Sequence, residues 1–222
     1  MPLQNRVTPF GDIVSDPSRG GLMGNRGILH DDNKQLGTSR WKHHNWVTCV
    51  LSFKGRKRAL MAPGYYTELF FLDEATALAA GHRPCAECRR PDYERFVMAW
   101  VEGNRMAVRP TAPTLDSELH RHRVTRNGQR VTFRAPGDTL PDGTMIALGT
   151  EAWLVWHGQR HRWSFTGYED SRPLDHIEVE VLTPQPTVAA LCAGYRPAVH
   201  RSVEVKTVAG ESSGESSMRQ RQ

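Results

Sequence analysis

The chain has 222 residues, of which 24% are charged and 38% hydrophobic, and its formal net charge is +5 at pH 7. This composition supports a folded core, and the length suits one large domain or two small ones. No apolar run approaches the ~20 residues that cross a bilayer, and residues 1–12 lack the basic-then-apolar pattern of a signal peptide. We therefore expect a cytoplasmic protein that has no membrane partner.

The four cysteines are too few for a disulfide scaffold in a chain of this length; they are Cys49, Cys85, Cys88 and Cys192. In a reducing compartment, the close pair Cys85 and Cys88 favours a metal site or a redox site. The βαβ setting of thioredoxin is missing, which favours metal. Cys192 falls among Ala and Leu in a predicted helix and is interpreted as a core residue.

Residues 1–38 form a segment rich in Gly, Asp, Asn and Pro, with the densest glycines at 19–27. The Gly-Lys-Ser/Thr ending of a phosphate loop is absent, and no apolar strand precedes the glycines. Two interpretations remain: a surface loop with tight turns, which we favour, or a backbone that closely approaches a ligand or another backbone.

The next segment alternates apolar and polar residues, which predicts a strand over 46–53. Cys49 falls on its apolar face, which is typical of an inert core thiol. A turn at 54–55 would lead to a second strand over 56–61, and a third strand is expected over 65–72.

Two helices flank the cysteine pair. Asp73 is a suitable N-cap for a short helix over 74–80, which Gly81 would end. The helix that begins at Pro91 carries the strongest apolar stripe of the chain, with i, i+3, i+4, i+7 and i+8 spacing. Its members are Tyr93, Phe96, Val97, Trp100 and Val101. This stripe is expected to be core, where the two halves of the chain meet.

The second half is predicted to be mostly β. Helices are expected over 116–123 and 187–193, and five strands near 131–134, 144–148, 152–156, 161–165 and 177–182. The fold class is therefore α+β: a small Cys-containing β-hairpin/helix module, then a mainly antiparallel β barrel or sandwich. The expected division is 1–38 (Gly-rich segment), 39–108 (hairpin/helix Cys-x-x-Cys module), 109–204 (mainly β part) and 205–222 (disordered tail).

Residues 74–90 read Glu-Ala-Thr-Ala-Leu-Ala-Ala-Gly-His-Arg-Pro-Cys-Ala-Glu-Cys-Arg-Arg. This order of elements resembles the second half of the Ada-type zinc-binding module, over residues 68–90 in all. That module occurs in a bacterial DNA-alkylation sensor methyltransferase and in some nucleases. The resemblance implies zinc and a role in DNA repair.

The resemblance also implies two further ligands on the preceding hairpin, on either side of Pro-Gly. In this chain Met61 and Tyr65 stand on either side of Pro63-Gly64. The methyl-acceptor role of the family belongs to a hairpin cysteine that is missing here, so it is not carried over. The remaining ligands would come from elsewhere: Cys49 and His82 are the main candidates beside Cys85 and Cys88, followed by His30, His43 and His44.

A basic stretch precedes the cysteine pair, since no carboxylate occurs between Asp32 and Glu68. A local field of one sign attracts polyanions such as nucleic acid. Arg89 and Arg90 begin a helix, where backbone N–H groups favour anions. The candidate nucleic-acid-binding residues are Arg40, Lys42, Lys54, Arg56, Lys57, Arg58, Arg89 and Arg90. The alternative is a solvated hairpin tip without a partner.

The sequence contains no familiar catalytic motif such as Gly-x-Ser-x-Gly or His-Glu-x-x-His. Our first hypothesis is a zinc-containing, nucleic-acid-associated protein in DNA repair or processing. The second is an enzyme of unknown class whose site lies between the Cys-x-x-Cys module and the β part. The third is a structural or partner-binding protein in which the cysteines brace the fold.

Overall fold

The computed structural model describes residues 1–56 and 59–204. Within these ranges the chain forms four α-helices and two six-stranded sheets, as expected for an α+β protein. The expected disordered tail, 205–222, lies outside the described residues, as do Lys57 and Arg58. Among the described helices, none has both the length and the apolar character that a membrane crossing requires.

The first sheet is built by the N-terminal part of the chain. Its strands are β1 (Gln4–Val7), β2 (Ile13–Ser15), β3 (Leu22–Asn25), β4 (Val47–Cys49), β5 (Leu69–Phe71) and β6 (Arg83–Pro84). They lie in the order β2-β1-β5-β3-β4-β6. The pairs β1–β5 and β4–β6 are parallel and the others antiparallel. The predicted strands 46–53 and 65–72 are therefore shorter than expected, and residues 59–61 form no strand.

The glycine-rich segment contributes an inner strand of this sheet, so the preferred interpretation as a surface loop is wrong for β3. The glycines serve close backbone packing instead. A Cβ on Gly24 would lie 2.3 Å from the carbonyl oxygen of Val47 on the neighbouring strand. The same Cβ would lie 2.9 Å from the ring of Phe71, so only glycine fits between these neighbours.

The second sheet is antiparallel throughout and open. Its strands are β7 (Phe133–Pro136), β8 (Met145–Leu148), β9 (Glu151–Trp156), β10 (Gln159–Ser164), β11 (Gly167–Pro173) and β12 (Glu178–Val181). Their order is β11-β10-β9-β8-β12-β7, with a 3₁₀ turn at Gly137–Thr139 after β7. The barrel alternative is therefore wrong, because β11 and β7 remain edges. The sequence did not reveal β11, which is polar and mostly exposed as an edge strand can be.

The helices are α1 (Glu74–Ala79), α2 (Arg90–Gly103), α3 (Ala112–Arg121) and α4 (Gln185–Cys192). The predictions for α1 and α2 are confirmed to within a residue. Helix α3 begins four residues before the predicted start, because Thr111 is its N-cap and accepts a hydrogen bond from the Thr114 N–H. Cys192 is exposed at the end of α4, so its interpretation as a core residue is wrong.

Helix α1 is buried along its whole length between the two sheets. Ala75 and Ala79 pack into a cluster formed mainly by the second sheet. Ala77 and Ala80 pack into a cluster formed by the first sheet. These small side chains let both sheets approach one helix closely.

The apolar stripe of α2 is core, as predicted. Tyr93, Phe96, Val97 and Trp100 are buried in a cluster that also contains Leu191 of α4. Because α4 belongs to the C-terminal part of the chain, the two halves do meet along this stripe. Helices α2 and α4 approach each other closely, since a Cβ on Gly103 would lie 2.1 Å from the carbonyl oxygen of Ala189.

Replacing Trp100, which is 1% exposed, with alanine should lower the free energy of unfolding by about 3–5 kcal/mol, because the change leaves a cavity in this cluster. Met98 on the same helix is 67% exposed, so Met98→Ala is the matched control and should change stability little. Urea unfolding followed by tryptophan fluorescence and circular dichroism measures both. Equal effects of the two substitutions would contradict this account of the core.

Candidate metal centre

Cys49 meets the pair Cys85 and Cys88, from a distant part of the chain, at one edge of the first sheet. The Sγ atoms of Cys49, Cys85 and Cys88 all lie within 4.8 Å of one another. Cys49 ends β4, and Cys85 follows β6, which pairs with β4 in parallel register. The Cys85 N–H donates to the Thr48 carbonyl at 2.9 Å, which continues this pairing to the cysteines.

The Cys-x-x-Cys turn directs backbone N–H groups at its first sulfur. The N–H of Glu87 donates to Cys85 Sγ at 3.4 Å. A hydrogen bond from Cys49 lowers the pKa of Cys85 to about 5. The same hydrogen bond and burial raise the pKa of Cys49, and burial raises the pKa of Cys88. Without metal, the neighbouring thiol and N–H groups therefore favour the thiolate form at Cys85 over that at Cys49 or Cys88.

The sulfurs line a cavity of about 430 Å³. Much of its wall is apolar, with Leu51, Phe53 and Phe70 among the lining residues. Two carboxylates, Glu68 and Glu87, also line it. In the described part of the chain, no fourth Cys, His, Asp or Glu ligand atom joins the three sulfurs.

The structure does not bring His82 to this cluster. Its ring is buried against the rings of Trp46 and Phe71, with centroids 5.3 and 4.7 Å away. Burial and the charge of Arg26 lower the pKa of His82 well below its usual value. The neutral ring accepts a hydrogen bond of 3.4 Å from Arg26 Nε, so His82 is a core residue.

The other candidate histidines also lie outside the cluster. His30 Nδ1 is 2.6 Å from the hydroxyl of Thr67, and His44 stacks on His120 with ring centroids 3.9 Å apart. His43 likewise does not belong to the group of close ligand atoms in the described chain.

The third sulfur belongs to Cys49, for which the sequence allowed two interpretations. Cys49 was interpreted as a core thiol or as a metal ligand, and the structure places it beside the cysteine pair, partly buried. Met61, which stands at one of the family's ligand positions, is buried, and its N–H donates to Glu68 at 2.7 Å. Only the pairing of β4 with β6 brings Cys49 within reach, and no local sequence signal records that pairing.

The basic hairpin tip lies at the rim of the cysteine cavity. Arg56 lines the cavity, and its Nη2 lies 3.1 Å from Glu87 Oε1. Lys54 Nζ lies 3.9 Å from the same oxygen. Glu87 therefore offsets part of the positive charge that has no carboxylate nearby in sequence. All three side chains are exposed, so these ion pairs are weak and exchange readily with solvent.

The two arginines that follow the cysteines differ sharply. Arg89 is buried, and its Nη2 lies 2.8 Å from Glu74 and 2.7 Å from Asp92. Its guanidinium is engaged inside the protein and is not available to a phosphate. Arg90 is exposed and pairs with Glu94 at 2.8 Å. Arg40 and Lys42 are also exposed.

Sequence reasoning missed a second group of charged residues. Arg26, Arg123 and Arg130 converge with Arg40 on a separate cavity of about 160 Å³. These arginines come from three different parts of the chain, and no motif links them.

A search against protein families, curated proteins and solved structures found no match to this chain. The resemblance of residues 74–90 to the Ada-type module stays a prediction.

Arg89→Ala should destabilise the protein by about 3–5 kcal/mol, because it leaves the buried carboxylate of Glu74 without its cation. The neighbouring Arg90→Ala removes only an exposed ion pair and is the matched control, with little expected change. Chemical denaturation at neutral pH measures both. Similar stability of the two variants would show that Arg89 is not held in the core.

Proposed function

We propose that this chain is a zinc-binding protein whose ligands are Cys49, Cys85 and Cys88. The observation that carries the proposal is the close approach of three sulfurs, all within 4.8 Å of one another, from two separate segments of the fold. Cysteines that gather this closely without forming a disulfide are typical of a thiolate metal site.

The chemistry of the donors favours zinc. Zinc is bound by thiolates at about 2.3 Å in a tetrahedron, so sulfurs that share one ion lie about 3.8 Å apart. Sulfurs within 4.8 Å of one another need to move by only about 1 Å to reach this spacing. Soft thiolates select zinc or Cu(I) over magnesium and calcium. Bound zinc would replace the protons of Cys49 and Cys88 and neutralise most of the thiolate charge.

The fourth coordination position would face the cavity. Structural zinc sites are closed by four protein ligands, whereas sites that bind an exogenous ligand have three protein ligands and one exchangeable position. The cavity that the three cysteines line leaves room for such a ligand. Glu68 and Glu87 line the same cavity and would interact with a ligand at this position through hydrogen bonds or charge.

Protein purified without added metal should contain one zinc per chain by elemental analysis. Cys49→Ser, Cys85→Ser and Cys88→Ser should each reduce the zinc content and lower the melting temperature, because metal binding contributes to folding stability. Cys192→Ser is the matched control, since Cys192 is exposed at the end of α4 and apart from the cluster, and this variant should retain its zinc. Metal-free wild-type protein that does not take up added zinc would contradict the proposal.

Cobalt replacement tests the exchangeable position separately. The Co²⁺ protein should show intense thiolate-to-metal absorption with tetrahedral bands, and added imidazole should shift those bands by occupying the fourth position. An unchanged spectrum at saturating imidazole would mean that the site is closed. That result would leave the proposal of metal binding intact and would contradict only the proposal of an exchangeable fourth position.

A second proposal is that the rim of the cysteine cavity binds nucleic acid, and hence that the metal site serves DNA repair or processing. The observation that favours it is the exposure of Lys54 and Arg56 beside the cavity, with side chains 65% and 66% exposed. Lys42 and Arg90 add exposed positive charge elsewhere on the first half of the chain. Contacts of this kind bind phosphates without reading bases.

Binding to duplex DNA should weaken in the Lys54→Ala/Arg56→Ala variant, and the log–log salt slope should flatten by up to about two units, since each phosphate contact contributes about 0.9. Glu87→Gln should strengthen binding, because it frees both cations from their carboxylate. Arg134→Ala, an exposed cation on β7, is the control. Wild-type protein that binds no DNA or RNA at low salt would remove this proposal.

A further inference from the structure

The second cavity has an unusual concentration of buried positive charge. Arg26, Arg40, Arg123 and Arg130 line it, together with the carboxylate of Asp12. Arg26 and Arg123 are 2% and 1% exposed. Among the described residues, none of Arg26, Arg123 and Arg130 forms a direct ion pair. Carboxylates act on them only from a longer distance: Asp12 on Arg26 and Arg130, Glu180 on Arg130, and Asp116 on Arg123. A buried cation without a counterion costs several kcal/mol, so such a cluster calls for an anion.

Two of these arginines have an evident structural role. Arg123 donates to the carbonyl of Gly81 at 2.6 Å, and Arg130 donates to the carbonyl of Ala79 at 2.5 Å. Both carbonyls lie at the C-terminal end of α1, where cations are favourable. The remaining Nη atoms donate to other backbone carbonyls: Arg123 Nη2 to that of His44 and Arg130 Nη1 to that of Phe10. Arg26 has no such role at α1.

Arg26 is held in place by contacts that leave one of its donors unused. Its guanidinium lies over the Trp46 ring, 4.1 Å from the centroid, and its Nη1 donates to the Gly11 carbonyl at 3.0 Å. Its Nη2 is buried and has no hydrogen-bond partner among the described residues. The Nε of Arg130 is likewise buried and unpaired there. Buried donors of this kind are normally satisfied, so these two call for an acceptor that the described residues do not supply.

The two guanidinium groups lie close together at Gly11. A Cβ on Gly11 would be 2.8 Å from Arg130 Nη1 and 3.9 Å from Arg26 Nη2. Burial and the charge of Arg130 lower the pKa of Arg26 to about 9. Burial lowers the pKa of Arg130 to about 10, so both groups remain charged at neutral pH. An anion between them would relieve their repulsion.

We propose that this cavity binds one phosphate group, either free phosphate or the phosphate of a small ester, held by Arg26, Arg40 and Arg130. The volume of about 160 Å³ is smaller than the pockets that enclose drug-sized ligands, so the cavity suits a compact oxyanion. A phosphate dianion matches several cations and offers more acceptor oxygens than a carboxylate does.

The mouth of the cavity admits such a ligand. Arg40 and Asp12 are exposed, so the cavity reaches the surface. Asp12 would repel an anion at the mouth, but the arginines outnumber it. Trp41 also lines the cavity and offers an apolar surface to the organic part of a phosphate ester.

Isothermal titration calorimetry and thermal unfolding test this site with inorganic phosphate and with adenosine monophosphate, each against sodium chloride at equal ionic strength. Phosphate should raise the melting temperature of the wild-type protein. Arg26→Gln should abolish binding, and Arg40→Ala should weaken it about tenfold or more, because a hydrogen bond to a charged group contributes at least this factor. Arg126→Ala is the control, since this exposed cation does not line the cavity.

Arg26→Gln changes a buried residue, so circular dichroism must show that the variant is folded. If Arg26→Gln does not fold, Arg40→Ala still tests the proposal, because Arg40 is exposed and its replacement should leave the fold intact. Tighter binding of the nucleotide than of phosphate would identify an ester as the occupant, and equal affinity would identify phosphate itself. The proposal would be overturned if phosphate did not stabilise the wild-type protein. It would also be overturned if Arg40→Ala and Arg126→Ala lost the same amount of phosphate affinity.

Discussion

The carboxylate of Glu74, buried at the start of α1, holds three separate parts of the chain together. It accepts hydrogen bonds from the Tyr195 hydroxyl at 2.6 Å and from the Ala198 N–H at 2.9 Å, and it lies 2.8 Å from Arg89 Nη2. A buried carboxylate is tolerated only when its oxygens are fully paired. Because Arg89 directly follows Cys88, this one ion pair fixes the cysteine turn to the central helix and to the C-terminal segment at once.

Asp73, the N-cap of α1, connects this helix to the second sheet and to the C-terminal segment. It accepts hydrogen bonds from the Thr76 N–H, from the Tyr168 hydroxyl on β11 and from the His200 N–H. The other end of α1 receives Arg123 and Arg130, whose guanidiniums donate to its last carbonyls. The helix therefore lies between two polar networks. The network at the N-terminal end positions the proposed metal site through Arg89. The network at the C-terminal end contains Arg130, one of the arginines of the proposed phosphate site.

The local elements of this arrangement were predictable from the sequence. Asp73 and Gly81 mark the two ends of α1, because they are suitable helix-capping residues. The spacing from Tyr93 to Trp100 predicts the buried face of α2. Cys85 and Cys88 were recognisable as half of a candidate metal site, because both sulfurs lie within one turn. In each case the interacting residues are close in sequence, so periodicity and composition record the contact.

The long-range pairings were decided by the tertiary structure alone. Cys49 becomes the third sulfur because β4 pairs with β6, Glu87 offsets Lys54 and Arg56 across 31 residues or more, and β3 becomes an inner strand because Gly24 permits close packing. Arg26, Arg123 and Arg130 meet only because both sheets pack on α1. Such contacts produce no periodic pattern in the sequence, because the residues that touch are far apart along the chain. The sequence thus determined the helices and the cysteine pair. The pairing of β4 with β6 determined the cysteine cluster, and the packing of two sheets on one buried helix determined the arginine site.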